Sequence, residues 1–349
     1  MHDLHASCFD NFQRPLRDLR ISVTDRCNLR CTYCMPGEVF GRDFVFLRHA
    51  ELLSFEEIVR AARQCVALGV RKIRLSGGEP LLRHGIERLV EMLAGLYSDD
   101  GKPIELAMTS NGTLLAKKAR VLKDAGLMRL NISLDALDEN IFRHMSGSNV
   151  PPGTVLEGID AAQSVGLTPV KVNAVIKRGI NESEILPLIR HFRHTGIIMR
   201  FIEYMDVGNT NGWRLDDVVT SSEILARIDQ EYPLIPIEPH ARNEVAERWK
   251  YQDGGGEIGV ISSVTQAFCH TCSRLRLSTD GKLYTCLFAT DGVDLRALLR
   301  AKPTQFDDDA ALLQRIAATW HCRTDRYSQL RHEMTEKLPG RIEMSYIGG

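Results

Sequence analysis

Residues 19–34, LRISVTDRCNLRCTYC, combine a strand pattern with three closely spaced cysteines. Apolar side chains occupy every second position from 19 to 23, which predicts a half-buried strand. Cys27, Cys31 and Cys34 follow at once, so three thiols would lie just after the carboxyl end of that strand. The spacing predicts a metal site on the loop after the first strand.

The same alternation recurs along the first two thirds of the chain. The predicted strands are residues 19–24, 72–76, 104–109, 129–133, 169–175 and 198–204. Helix-like segments lie between them, such as 54–68, 116–125 and 183–194, and the first of these begins at a Ser54/Glu57 capping box. Strands that alternate with helices predict right-handed β-α-β units and a parallel sheet.

One face of the predicted sheet is polar on strand after strand. A parallel sheet covered by helices on both faces should be apolar on both, and a closed eight-unit barrel fills its interior with branched apolar side chains. Six units with a polar lining therefore predict an α/β fold, an incomplete (β/α)6 TIM-like barrel with a wet lumen. A flat doubly wound sheet with polar edges is the alternative.

Turns and prolines dominate after residue 204. Pro233, Pro236, Pro239 and residues 254–256 mark irregular structure, so we expect a boundary near residue 240. The predicted division is a barrel domain, 1–240, and a smaller C-terminal domain, 241–349, that closes the barrel mouth.

The amino-acid composition limits the classes of function that are expected for this protein. The 349 residues include 44 Lys plus Arg and 45 Asp plus Glu, a balance that argues against bulk binding to nucleic acid or to a membrane surface. The N-terminus lacks the apolar region of a signal peptide and no apolar run is long enough to span a bilayer, so a cytoplasmic protein is expected. Six of the nine cysteines fall in two groups, whereas Cys8, Cys65 and Cys322 stand alone and are expected to be inert.

The first cysteine group supplies three ligands where a structural zinc site or a cubane iron–sulfur cluster usually takes four. With three thiolates, one iron of a cluster stays open and can bind a small molecule. A zinc knuckle completed by a distant residue is the alternative.

The second group, Cys269, Cys272 and Cys286, again offers three ligands. His270 lies between the first two and points awkwardly for the same metal. A second open cluster is therefore plausible, and a structural zinc ribbon stays open as the alternative.

Basic residues gather near both groups. Arg274 and Arg276 would share one face of an extended segment, and the strand alternation points Arg20, Arg74 and Lys171 into the lumen. Such cations suit a substrate with several negative charges. The alternative is that these arginines pair with Glu79, Asp135 and Glu203.

The segment CNLRCTYC (27–34) resembles the signature of the radical S-adenosylmethionine (SAM) family. Further motifs that suit this family are SGGEP (76–80), TSNG (109–112), SLD (133–135) and EYM (203–205), each of which alone could be a helix cap or turn. The resemblance implies a SAM-binding [4Fe–4S] cluster whose single electron cleaves SAM to methionine and a 5′-deoxyadenosyl radical.

Longer segments are similar to the members of that family that cyclise GTP in molybdenum cofactor biosynthesis. They are RPLRDLRISVTDRC (14–27), RFIEYMDVGN (200–209), CHTCSRLRLSTDGK (269–282) with Cys286, and the final Gly348-Gly349. This resemblance implies SAM contacts at Tyr33, Gly78, Ser133 and Met205. It implies GTP contacts at Arg20, Arg74, Thr109, Lys171, Arg274, Leu275 and Arg276. It implies a first [4Fe–4S] cluster on Cys27, Cys31 and Cys34 and a second on Cys269, Cys272 and Cys286.

The reaction implied is that the deoxyadenosyl radical abstracts the ribose 3′ hydrogen of GTP and the C3′ radical adds to guanine C8. The implied partners are GTP, an electron donor and the downstream cyclic pyranopterin monophosphate synthase, and a homodimer is left open. The Gly-Gly tail is expected to reach into the active site, the alternative being a frayed end. A peptide-modifying radical SAM enzyme and a non-enzymatic electron-transfer or zinc-ribbon module are the competing functions.

Overall fold

A computed structural model describes residues 8–239, 244–301, 307–331 and 340–348. The strands in these ranges form one sheet. They are β1 (Asp18–Ser22), β2 (Lys72–Ser76), β3 (Glu105–Ser110), β4 (Arg129–Ser133), β5 (Lys171–Ile176), β6 (Ile198–Glu203), β7 (Leu234–Ile237), β8 (Glu247–Tyr251), β9 (Glu257–Ile261), β10 (Arg274–Leu277), β11 (Lys282–Tyr284) and β12 (Val293–Asp294).

Helices follow most of the first six strands and pack against one face of the sheet, and four further helices lie in the described C-terminal part of the chain. They are α1 (Phe55–Ala67), α2 (Ile86–Ala94), α3 (Leu115–Asp124), α4 (Glu139–Ser146), α5 (Pro152–Ser164), α6 (Ile185–Phe192), α7 (Ser221–Glu231), α8 (Arg296–Arg300), α9 (Asp307–His321), α10 (Tyr327–Leu330) and α11 (Met344–Ile347).

The sheet order is β12-β11-β10-β1-β2-β3-β4-β5-β6-β9-β8-β7. Strands β1 to β6 lie side by side in chain order and pair in parallel, which confirms six β-α units. In the residues that the structure describes, β12 and β7 end the sheet at opposite edges, so the barrel is incomplete, as predicted.

The two edges of the six-strand core are extended by the C-terminal part of the chain. Strand β10 pairs in parallel with β1, and β9 pairs in parallel with β6. Antiparallel hairpins continue outward through β11 and β12 on one side and through β8 and β7 on the other. The division at residue 240 stays a prediction, since strands on both sides of it share one sheet.

The alternation of the strands separates the two faces. Leu19, Ile73, Leu130, Val172 and Met199 are at most 1% exposed on the face that packs against the helices. Their neighbours point the other way, so the polar side chains of successive strands line up across the pairing register. Arg276, Arg20 and Arg74 are consecutive in one such row. The polar lumen expected from the sequence is therefore present.

Short local sequence patterns predict the positions of helix α1 and of the first six strands well. Helix α1 begins at the predicted capping box, where Ser54 N donates to Glu57 Oε2 at 2.7 Å and Glu57 N donates to Ser54 Oγ at 3.2 Å. The predicted strands 72–76 and 129–133 match β2 and β4, and the other four differ by one or two residues at one or both ends. Among the described residues, no helix is long and apolar enough to cross a membrane. Cys65 is buried, Cys8 is half-buried and Cys322 is exposed.

Candidate active site

The first cysteine group lies on the loop after β1, and the loop after β2 braces it. Gly78 N donates to Thr24 O and Glu79 N donates to Arg26 O, both at 2.8 Å. A Cβ placed on Gly78 would lie 2.2 Å from Arg26 O and 3.0 Å from Cys27 N. The glycine therefore lets the two backbones approach closely and sets the position of the first thiol.

Glu79 joins the ends of β2 and β3 beneath this loop. It is fully buried and accepts hydrogen bonds from Leu81 N at 2.9 Å, Ser110 Oγ at 2.9 Å and Asn111 N at 2.7 Å. Burial raises the pKa of its carboxyl to about 7 despite these donors. Its role is to fix the TSNG turn against the cysteine loop.

Donors surround the first thiol. Leu29 N lies 3.4 Å and Asn111 Nδ2 3.8 Å from Cys27 Sγ, and burial raises the pKa of this thiol to about 11. Burial, then Asp135 and the two neighbouring thiols, also raise the pKa of Cys31, so the three sulfurs are close enough to interact. Asn111 is a residue that the sequence did not single out, since TSNG alone could be a turn.

The predicted SAM-contacting residues gather at the carboxyl ends of the strands. Tyr33 Oη donates to Asp135 Oδ2 at 2.8 Å, which ties the cysteine loop to the segment just after Ser133 at the end of β4. Burial raises the pKa of Asp135 to about 6. Met205 lies two residues beyond β6, where its carbonyl accepts from Asn211 Nδ2 at 2.9 Å.

The second cysteine group flanks β10 and β11. Arg274 Nε and Nη2 lie 3.4 and 3.3 Å from Cys272 Sγ, and Arg323 Nη2 lies 3.2 Å from it. Burial would raise the pKa of the Cys272 thiol, but Arg274 and Arg323 lower the pKa to about 6. Phe288 N donates to Cys286 Sγ at 3.5 Å. Such N–H donors favour the thiolate that an iron–sulfur cluster needs.

The anchors of this second loop are distant in sequence, and neither Arg323 nor Asp10 lies in a segment that the sequence singled out. Arg323 Nη1 donates to Cys272 O at 2.7 Å, and Arg14 Nη1 donates to Cys269 O at 2.8 Å. Asp10 accepts from Arg14 Nε at 2.6 Å and lies 3.7 Å from Arg323. Asp10, Arg14 and Arg323 are all buried, so both ends of the chain support the second thiol loop.

His270 is exposed in the short turn Cys269–Thr271. Among the residues described by the structure, no three His, Cys, Asp or Glu side chains converge as ligands of one metal ion. A zinc ion requires such convergence. The thiolates of a cubane bind separate irons, so the cluster interpretation does not require it.

The predicted GTP-contacting cations share the lumen. Burial, then Arg276, Arg74 and Arg274, lower the pKa of Arg20 well below its usual range, so these guanidinium groups crowd one another. Lys171 follows at the start of β5, where burial and then Arg200 lower its pKa to about 7.

Thr109 lies near the end of β3, 3.5 Å from Arg74 Nη1. Leu275 is fully buried on the apolar face, so only its backbone faces a ligand. Arg200 obeys the same alternation in β6, which could have identified it from the sequence.

The alternative pairing of these arginines with three acidic residues is wrong. Glu79 and Asp135 accept from the groups given above. Asp135 also accepts from Val175 N at 2.9 Å. Glu203 accepts from Ser221 N, Val264 N and Thr265 N at 2.8 to 2.9 Å. All three carboxylates hold loops together, and among the described residues none of them forms an ion pair with Arg20, Arg74 or Arg276.

The described part of the C-terminal tail enters the lumen. Arg276 Nη1 donates to Gly348 O and lies 3.4 Å from Ile347 O. A Cβ on Gly348 would lie 2.2 Å from Ser76 Oγ, so this glycine is fitted against the end of β2. Gly349 lies outside the described residues. The tail thus sits between the SAM-side loop and the arginines of β10.

The donor set fits the groups that the sequence implies. Ser22 Oγ, Ser76 Oγ and Asn173 Oδ1 are buried at lumen-facing positions and have no hydrogen-bond partner among the described residues. Buried polar atoms normally have partners, so these oxygens suit a polar ligand in the lumen. One three-thiol loop follows β1, whereas Cys269 and Cys272 precede β10 and Cys286 follows β11, so the two loops lie at opposite ends of the neighbouring strands β1 and β10. Each loop supplies three thiols and suits a cluster with an open iron.

Family comparisons agree with this geometry. Residues 21–192 match the model of the radical SAM superfamily, and residues 197–329 match the model named Molybdenum Cofactor Synthesis C. A GTP 3′,8-cyclase of Acidothermus cellulolyticus is 52% identical over 97% of this chain and 98% of its own length. A GTP 3′,8-cyclase of Staphylococcus aureus strain JH9 is 48% identical over the same shares.

Solved structures support the fold. SuiB of Streptococcus suis bound to S-adenosylmethionine is 16% identical, with a TM-score of 0.60 over 95% of this chain and 76% of that one. Native anSMEcpe with bound AdoMet is 14% identical, with a TM-score of 0.54 over 85% of this chain and 82% of that one. The near full-length identity to the cyclases and the two matched models show that the chain belongs to the GTP 3′,8-cyclase family of radical SAM enzymes.

Proposed function

We propose that this chain converts GTP to (8S)-3′,8-cyclo-7,8-dihydroguanosine 5′-triphosphate, an early step of molybdenum cofactor biosynthesis. The observation that supports the proposal is a row formed by Arg276, Arg20 and Arg74 across β10, β1 and β2, with one three-cysteine loop after β1 and the other beside β10 and β11. Cys27, Cys31 and Cys34 lie after β1, and the arginines of β10 pair alongside β1 itself. A radical source and an anionic nucleotide could thus be held within reaction distance.

The cofactors would be held as follows. Cys27, Cys31 and Cys34 would bind the [4Fe–4S] cluster that carries SAM, and Cys269, Cys272 and Cys286 would bind the second [4Fe–4S] cluster. Together with SAM these groups supply a 5′-deoxyadenosyl radical and an open iron for the guanine base. Tyr33, Gly78, Ser133 and Met205 would contact SAM. Gly78 and Met205 follow the ends of β2 and β6, Ser133 ends β4, and Tyr33 donates to Asp135 just after it, which supports this assignment.

The chain's cations would bind and orient GTP. Arg20, Arg74, Lys171 and Arg276 lie on the polar face, where burial lowers the pKa of each and makes its charge costly until an anion compensates it. Arg274 shares that face, where burial would lower its pKa but Cys272 raises it. A triphosphate supplies that compensation, and the forked guanidinium groups suit its oxygens. Thr109 and the backbone of Leu275 would complete the contacts.

The lumen would also protect the reaction. Its walls are the buried polar face of the sheet and the inserted tail, so they limit the water around a radical at C3′ of the ribose. The ribose must be aligned so that its 3′ hydrogen meets the radical and C3′ then meets C8 of the guanine.

The cellular setting is part of the same proposal. Open clusters on free thiolates suit a reducing compartment, which supports the cytoplasm as the site of action. A one-electron donor would reduce the cluster, and the product would pass to the synthase that makes cyclic pyranopterin monophosphate. The division into 1–240 and 241–349 and a homodimer are further expectations.

The test is anaerobic reconstitution followed by incubation with GTP, SAM and a reductant. We expect roughly eight irons per chain, as two four-iron clusters require, and 5′-deoxyadenosine together with a cyclised GTP product. ATP in place of GTP serves as the control and should give no cyclised product. SAM cleavage without any change to GTP would overturn the proposal and favour a peptide-modifying enzyme, and one zinc with no iron would favour a binding module.

A further inference from the structure

We propose that Asp206 and Arg341 are positioning residues that hold the end of the chain against Arg276 and thereby set the affinity for GTP. The proposal rests on the proposed function. It concerns a group of polar and charged side chains that lies outside both cysteine loops and next to Met205, an expected SAM contact. We name this group the tail clamp; it consists of Asp206, Tyr327 and Arg341.

The tail clamp is closely packed. Arg341 Nη1 donates to Asp206 O at 2.6 Å and to Asp206 Oδ2 at 3.0 Å. Tyr327 Oη donates to the same carboxylate oxygen and also contacts Arg341 Nη2, both at 2.5 Å. The side chains of Arg341 and Asp206 are 1% and 4% exposed. Arg331 Nη2 lies 2.9 Å from the other oxygen of the same carboxylate, so Asp206 is the shared partner of two buried arginines. Such a network holds one geometry, and removing Asp206 leaves both charges uncompensated.

A second set of contacts joins residues 341–343 of the tail to the loop after β6. Asn209 Nδ2 donates to Arg341 O at 2.6 Å. The Glu343 carboxylate accepts from Asn209 N at 3.0 Å and from Thr210 Oγ1 at 3.2 Å. The loop after β6 therefore holds residues 341 to 343 through hydrogen bonds from both its side chains and its backbone.

The residues after the clamp also have contacts of their own: Ile342 N donates to Ala289 O at 3.0 Å, and the Tyr346 side chain hydrogen-bonds with Asp280. Helix α11, Met344–Ile347, has only four residues, and a single turn is not stable by itself. Yet Ile347 is fully buried and Gly348 O accepts from Arg276 Nη1. The clamped residues just before these groups add to their own contacts in holding the end of the chain against Arg276.

The tail clamp also connects the expected SAM contacts with the arginines expected to bind GTP. Asp206 directly follows Met205, the expected SAM contact after β6. Gly348 lies against Ser76, at the start of the SGGEP loop, while its carbonyl engages Arg276 on β10. A tail released from Asp206 would free Arg276 to move, and a mobile guanidinium binds phosphate or base oxygens less well.

The test compares Asp206→Asn and Asn209→Ala with the reconstituted wild-type enzyme. Asp206→Asn removes the charge at constant shape. Asn209→Ala removes only the bond to Arg341 O at an exposed residue, so it folds even if the first variant does not. Gln163→Ala is the matched control, because Gln163 Nε2 donates in the same way to Thr195 O at 2.9 Å on the outer surface.

Two readouts are measured, neither of which needs turnover. Amide exchange of the peptide that covers residues 344–348 should quicken roughly fivefold in Asn209→Ala and more in Asp206→Asn, as the loss of one or several hydrogen bonds implies. The dissociation constant for GTP should rise roughly tenfold in Asp206→Asn, and in Gln163→Ala both values should match wild type. Iron content and SAM affinity should stay within twofold in all three.

An amide exchange rate of residues 344–348 equal to that of the wild type in both Asp206→Asn and Asn209→Ala would overturn the proposal. Faster exchange with an unchanged dissociation constant for GTP would also overturn it. Failure of the proposed function looks different. In that case the wild-type enzyme itself does not bind GTP, while the exchange rates still decide whether Asp206 holds the tail.

Discussion

Replacing Gly78 with alanine tests how closely the SGGEP loop must approach the first cysteine loop. The backbone of Gly78 does not adopt a positive φ, so alanine is not excluded by backbone conformation. The added Cβ would lie 2.2 Å from Arg26 O and 2.5 Å from Arg26 C. The substitution therefore acts only through the short distance between the added Cβ and the backbone of Arg26.

The structure gives the size of the effect. Cβ contacts under 3.0 Å are essentially not found, so the two loops must separate by about 0.8 Å. Overpacking of this kind costs about 1–3 kcal/mol of stability. A displacement of about 1 Å at reacting groups costs on the order of 100-fold in rate. We expect 5′-deoxyadenosine formation by Gly78→Ala to fall roughly 100-fold, because Cys27 and the loop that contacts SAM would be displaced relative to each other.

The assay is single-turnover SAM cleavage by the reconstituted enzyme, with thermal unfolding measured in parallel. Gly153→Ala is the matched control: no atom lies within 4 Å of its Cβ position in α5, and its cleavage rate should be unchanged. If Gly78→Ala cleaves SAM at the wild-type rate, the close approach of the two loops does not position the site and our reasoning is refuted.

Three further predictions address the lumen and the second loop. Burial and Arg200 lower the pKa of Lys171 to about 7, so above pH 7 the free enzyme must take up a proton there to bind phosphate. The dissociation constant for GTP should therefore rise with pH above 7, by up to about tenfold per unit, and Lys171→Arg should flatten the profile; equal slopes would refute this. Arg323→Gln removes two donors from Cys272, so iron should fall from roughly eight to roughly four per chain while SAM cleavage without GTP persists; full iron content would count against the anchor. Glu79→Gln replaces an acceptor with an amide that faces the N–H of residue 111, and thermal unfolding should show a loss of about 1–3 kcal/mol; unchanged stability would contradict the role we assign to that carboxylate.

The central sheet and the thiol sites could be predicted because their signals are local. Alternation with a period of two is a direct consequence of the pleat, so β1 to β6 and their polar face are visible in short runs of sequence. The spacing of Cys27, Cys31 and Cys34 is likewise complete within eight residues. The capping box at Ser54 needs only four residues.

The supporting contacts could not be predicted, because their partners are far apart in the chain. Strand β10 completes the row beside β1 from some 250 residues away, and nothing in its four residues indicates that partner. Arg14 and Arg323 reach the second thiol loop from opposite ends of the sequence. Asp206 was part of a motif but its partner Arg341 was not, so the tail clamp appears only in three dimensions.

The most direct test of the account uses GTP that carries deuterium at the ribose C3′. If the radical source and the nucleotide share the lumen between the two cysteine loops, the 5′-deoxyadenosine formed under anaerobic turnover should carry one deuterium, and the cyclised product should have lost it. Deoxyadenosine free of deuterium, formed at the same rate with or without GTP, would contradict the account.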